Sequence, residues 1–153
     1  MASGSVFGRI LLITSSGTGA EFLAERMRTR AVDAVRASDP ECEVTTAAAG
    51  SLGTGELLGL TSPSLFSAST AVVVTDLQEI SDGPADELVA YVAMPAAEVA
   101  LVLVHGGGQK GKKLLDGLRA AASVTEVKVE APKYERDFVG WVRGESRELT
   151  APM

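Results

Sequence analysis

The stretch VALVLVHGGGQKGKKLLDGLR, Val99–Arg119, decides how this chain folds. Its first six residues are all apolar, three of them β-branched, which is the pattern of a strand buried on both faces. Gly106–Gly108 break that run, and Leu114, Leu115 and Leu118 then recur at helical spacing. A buried strand that feeds a helix is half of a parallel β-α-β unit, and a parallel sheet needs helices on its faces.

The same alternation extends in both directions. RILLIT, 9–14, reads as the first strand, ended by SSGTG, and Glu21–Ala37 carries Phe22, Leu23, Met27, Ala31, Ala34 and Val35 at helical spacing before Pro40 stops it. CEVTTAA, 42–48, is a second strand weakened by its alanines. GTGELLGL, 53–60, starts a short helix that Pro63 interrupts, and TAVVVTDL, 70–77, is a third strand expected to be buried on both faces. Asp82 and Pro84 open a helix with Leu88, Val89 and Val92 as its buried stripe before Pro95. VTEVKVE, 124–130, alternates like a half-buried edge strand. Tyr134–Arg147 places Tyr134, Phe138, Trp141 and Val142 on one helical face that must dock on something apolar. The prediction is one α/β domain over 1–153: a three-layer, parallel, five-stranded sheet.

Composition bounds the function. The chain has 153 residues, 46% of them hydrophobic and 22% charged, which suits a water-soluble globule with a real core. No apolar run approaches the roughly 20 residues a membrane helix needs, and the opening MASGSVFGRI lacks a secretory pattern, so a cytoplasmic protein without membrane contact is expected. Fourteen basic against twenty acidic residues give a net charge of −6, which argues against a dedicated nucleic-acid surface. Lys110, Lys112 and Lys113 form the one basic cluster, a candidate phosphate or DNA contact. The single cysteine, Cys42, allows no internal disulfide and has no metal-ligand spacing around it.

Four motifs come close to known chemistry without completing it. Gly106–Lys113 matches most of the phosphate-cradling loop GxxxxGK[ST], but Lys113 stands where a hydroxyl must hold magnesium, and a second ammonium there repels the ion. A nucleotide-binding switch that uses Gly106–Lys113 as a variant loop is the alternative function. SSGTGAEF, 15–22, has two glycines but no lysine after them, and Phe22 takes the third glycine position of a dinucleotide loop. HGGG, 105–108, suggests an oxyanion hole, but no GxSxG elbow occurs and His105 is the sole histidine, better suited to a satisfied structural role. Asp76 ends an apolar strand as a magnesium-binding acid would, yet Leu77 replaces the second acid, which leaves Asp76 to cap the following turn. The chain thus has the outline of a nucleotide-binding fold without a functional nucleotide site. No cofactor, metal or catalytic residue is expected.

The strings LTSPSLFS (60–67), TAVVVTDLQ (70–78), ADELVAYVA (85–93) and VALVLVHGGGQKGKKLLDGLRAA (99–121) resemble the amino-terminal domain of the delta subunit of bacterial DNA polymerase III, in its actinobacterial form. The resemblance runs from Ile10 to Arg147 and departs most at SSGTGAEFLAER, where a more acidic run belongs. It implies a P-loop NTPase-like fold of the AAA+ type that does not bind ATP, in a clamp-loader subunit that opens the sliding clamp, the beta subunit, during DNA replication. It also implies lid and collar domains beyond this span that contact other loader subunits, and only indirect contact with DNA.

In that family a short helix with a Leu-Phe pair grips the clamp, and its match here is Ser64, Leu65 and Phe66. Pattern alone assigns such a pair to the core. Neighbours on a helix point about 100° apart, so a short surface helix can hardly bury both. Ser62 and Pro63 would set the pair at a rigid helix start.

Overall fold

The computed structural model describes residues 6–15, 20–62, 69–106, 112–129 and 134–142. Among the described residues five strands form one all-parallel sheet: β1 (Ile10–Thr14), β2 (Glu43–Ala48), β3 (Thr70–Thr75), β4 (Val99–His105) and β5 (Val124–Lys128), in the order β2-β3-β4-β1-β5. The helices are α1 (Ala20–Ser38), α2 (Glu56–Leu60), α3 (Asp82–Ala93), α4 (Lys112–Arg119) and α5 (Tyr134–Val142). Two single 3-10 turns, Ala49–Ser51 and Leu77–Glu79, were not legible as elements.

Alternation along the strands divides the core into two layers. On one face Leu11, Ile13, Ala71, Val73, Ala100 and Val102 meet Ala24, Met27, Ala31 and Val35 of α1 and Phe138 and Trp141 of α5. On the other, Ile10, Leu12, Val72, Leu101 and Leu103 meet Leu57 of α2, Leu88 and Val92 of α3, and Leu114, Leu115 and Leu118 of α4. A three-layer α/β arrangement, with helices on both faces of a five-stranded parallel sheet, is therefore the fold observed. Among the described residues no helix is long and apolar enough to cross a membrane.

The structure changes several local expectations. β5 is an edge strand, but it is covered on both faces: Val124 joins the α4 layer while Val127 and Val129 join the α1/α5 layer. Val89 is 38% exposed rather than part of the buried stripe, because α3 turns Leu88 and Val92 inward and leaves Val89 over Gly117 of α4. β3 stops at Thr75, and Leu77 is buried from a 3-10 turn instead of from the strand. Asp76 precedes that turn with φ 53°, ψ 49°, a left-handed backbone that Asp tolerates better than most residues. It caps through its backbone, its carbonyl accepting the Glu79 amide at 2.9 Å, and no side-chain cap bond forms.

Candidate functional site

β1 sends its chain through α1 towards one sheet edge, and β4 sends its chain through α4 towards the other. The two strands are direct neighbours, with Thr14 opposite His105 in register. Their carboxyl ends therefore flank the switch point of the sheet, the place where open α/β folds hold ligands. The loop that begins at Gly106 thus leaves from beside the exit of β1, although it follows the fourth strand in sequence.

Several polar groups at this crevice are engaged internally. Thr14, Ser15 and His105 are buried, His105 completely. The Thr14 hydroxyl donates to Glu126 Oε2 at 2.9 Å, and Arg119 clamps the same carboxylate with Nε and Nη2, each at 2.8 Å. Arg119 Nη1 also lies 3.9 Å from Asp116. The Gly106 amide, which would open a phosphate cradle, donates to Gln78 Oε1 at 2.7 Å. A Cβ at position 106 would come within 2.8 Å of the Gln78 amide nitrogen, so glycine permits this close approach between the exits of β3 and β4.

Burial by itself would raise the Glu126 carboxyl. The hydrogen bonds from Arg119 and Thr14, with the charges of Arg119 and Lys128, outweigh that effect and hold it below the ordinary glutamate value. The Arg119 guanidinium is correspondingly raised, chiefly by its hydrogen bond to Glu126. A carboxyl depressed in the folded state stabilises above its unfolded value, and the contribution disappears as pH falls through the folded value. Glu126→Gln should cost about 1–2 kcal/mol at neutral pH, with the exposed part of Arg119 limiting the figure. The melting temperature should drop by roughly 2–6 °C at pH 7. Below about pH 4 the difference should shrink, and melts of both proteins across pH 3–7 check it.

Lys112 and Lys113 begin α4 and are exposed. They line a groove of about 680 Å³ between α3 and α4 that Asp82 and Asp86 share, and Lys112 is ion-paired with Asp116 at 3.4 Å. Acids therefore surround these two ammonium groups and reduce the local positive potential. Lys110 lies outside the described residues, as do Ser64, Leu65 and Phe66.

The described chain nevertheless defines where the segment 63–68 departs and returns. It departs after α2, where the buried Thr61 donates its hydroxyl to the Leu57 carbonyl at 2.9 Å. It returns at Ser69, whose hydroxyl donates to Asp39 beyond the end of α1. That bond and the Glu41 amide hold the Asp39 carboxyl below its ordinary value. Cys42 is buried, its thiol raised mainly by burial. Among the described residues no group of three His, Cys, Asp or Glu side chains is arranged to hold a metal. The Gln78, Glu126 and Asp39 contacts were not anticipated, since each joins residues 28 or more positions apart or depends on which strand neighbours which.

No protein-family model and no curated protein matches this sequence. Solved structures do match its fold. The DNA clamp loader delta protein YqeN of Bacillus subtilis is similar over 78% of this chain, with 14% identity and a TM-score of 0.57. A DNA polymerase III gamma-subunit-related protein of Thermotoga maritima is similar over 85%, with 16% identity and a TM-score of 0.55. The chain spans 38% and 44% of the lengths of those two structures. At such identities the likeness is one of fold.

Proposed function

We propose that this chain is a clamp-loader domain of the delta class, of the actinobacterial type, which binds the ring-shaped sliding clamp and helps to open it without hydrolysing nucleotide. The observation that carries this reading is the agreement of two separate likenesses. The strings between Leu60 and Ala121 resemble delta, and the fold is similar to a clamp loader delta protein over 78% of the chain. The clamp contact would be Ser64, Leu65 and Phe66, carried between α2 and β3. Insertion of the two apolar side chains into a clamp pocket would contribute roughly 1.5–3 kcal/mol each. Preferential binding to the opened ring would shift the clamp towards that state.

Silence towards nucleotide is supported by Lys113 in the place of the magnesium-binding hydroxyl and by the Gly106 amide and Thr14 hydroxyl being committed to Gln78 and Glu126. In a whole cytoplasmic loader, neighbouring subunits reached through further domains would supply ATP hydrolysis, and Lys110, Lys112 and Lys113 would meet DNA only indirectly.

The test is binding of the purified clamp to this chain and to its Leu65→Ala/Phe66→Ala variant. The variant should bind at least about 100-fold more weakly with an unchanged circular dichroism spectrum. If it unfolds, the pair is core and the reading is wrong. Calorimetric titration with Mg-ATP should give no saturable heat; micromolar binding abolished by Lys112→Ala would instead establish a nucleotide switch.

A further inference from the structure

A cleft of about 370 Å³ lies between α2 and α3, at the opposite side of α3 from the two lysines. Ala90, Tyr91 and Met94 form its α3 wall, at the spacing of one helical face, and Leu57, Leu58 and Thr61 form the other. Leu57 is the buried floor, whereas Leu58 and Met94 are 70% and 85% exposed and form two apolar lips. Both are among the four exposed large hydrophobic residues of the described chain.

The polar atoms around the cleft are already used. Glu87 accepts the Gly55 amide with both carboxylate oxygens, at 3.1 and 2.8 Å, and so fixes the start of α2, where Gly55 takes a φ of 91°. The Thr61 hydroxyl donates to Leu57, and the Tyr91 hydroxyl accepts the Ala96 amide at 3.1 Å. What remains for a partner is apolar surface, and its surroundings have one sign of charge. No Lys or Arg stands between Arg36 and Lys110, a stretch with ten acids, among them Glu56 and Glu87 on α2 and α3 and Glu98, whose charge acts on Tyr91. An apolar cleft in such a field favours an apolar anchor flanked by cations and disfavours one flanked by acids.

We propose that the α2–α3 cleft is a docking site for a partner protein's amphipathic segment, with a leucine or aromatic anchor between Leu58 and Met94 and Lys or Arg beside it. This is the helix-in-groove mode, in which apolar anchors supply adhesion and flanking charge supplies selection. Anionic lipid is disfavoured by the same acids. The inference uses neither Leu65 nor Phe66 and stands or falls separately from the clamp reading.

The test uses a fluorescein-labelled 14-residue helical probe with leucines along one face and lysines on the other, and a matched probe with glutamates in place of the lysines. Anisotropy should show the lysine probe binding at least ten-fold more tightly, with the advantage falling in high salt as surface charge is screened. In protein labelled at the methionine methyl groups, the Met94 signal should shift on binding. Leu58→Ser/Met94→Ser should weaken the lysine probe at least ten-fold while the circular dichroism spectrum is retained. Leu65→Ala/Phe66→Ala should leave it unchanged.

Four results would overturn the proposal. These are equal affinity for both probes, indifference to the serine changes, tighter binding by the Leu65/Phe66 variant, and self-association in sedimentation that the serine changes abolish. The third result would make the chain's own segment the occupant, and the fourth would make it a second copy.

Discussion

Trp141→Ala will destabilise the fold by about 3–5 kcal/mol, the range for removing a large aromatic side chain from a core. Trp141 is fully buried, with its ring 5.9 Å from that of Phe138, and together they hold α5 against the sheet layer that contains Val127 and Val129. β5 is the sheet edge, paired only with β1, so loss of α5 uncovers one face of a strand that has a single neighbour. Urea titration followed by circular dichroism measures the change. The Trp141 indole nitrogen is buried without a hydrogen-bond partner among the described residues, an arrangement that carries a desolvation cost. Trp141→Phe removes that nitrogen with part of the ring, and should cost less than about 2 kcal/mol. Equal losses in the two variants would mean that a phenyl ring recovers none of the packing that the indole supplies.

Leu57→Ala and Leu58→Ala, changes at adjacent positions of a five-residue helix, should differ by at least about 1.5 kcal/mol. Leu57 is 2% exposed and belongs to the layer with Leu52, Leu77, Leu88 and Val92, so its truncation leaves a cavity and should cost about 2–4 kcal/mol. Leu58 is 70% exposed, and its loss should stay within about 0.5 kcal/mol. Trp141 is the only tryptophan, so its fluorescence during urea unfolding reports both variants with a single probe. Similar losses at the two positions would show that α2 is seated differently on the sheet, and the cleft beside it would lose its floor and lip.

The pair also shows what is legible in a short helix. Leu57 and Leu58 are chemically identical, and ELLGL is too brief for a repeating face to say which of them points inward. Longer elements leave less room. Met27, Ala31 and Val35 mark the inner face of α1, and Leu114, Leu115 and Leu118 that of α4, as their spacing predicted, whereas Phe22 is 66% exposed and Ala24, outside the predicted face, is buried. In α3 the same rule erred by one residue, at Val89, because that residue borders the crossing with α4 at Gly117.

At the candidate site the substitutions that break nucleotide motifs, Lys113, Leu77 and Phe22, are single residues and could be read directly. The contacts that occupy the crevice could not. Gln78 reaches Gly106 only because β3 and β4 are neighbours, and Glu126 reaches Thr14 only because β1 enters between β4 and β5.

The amino-acid order by itself determined which segments form the five strands and the helices between them, and with them the parallel α/β architecture, since apolar period, glycine and proline act within a few residues of chain. It also determined that the phosphate loop lacks its hydroxyl. Only the tertiary structure decided the strand order, the covering of both faces of β5, the Arg119–Glu126–Thr14 cluster and the apolar cleft between Leu58 and Met94. These depend on which distant surfaces bury one another, a choice made by the packing of whole layers rather than by local preference.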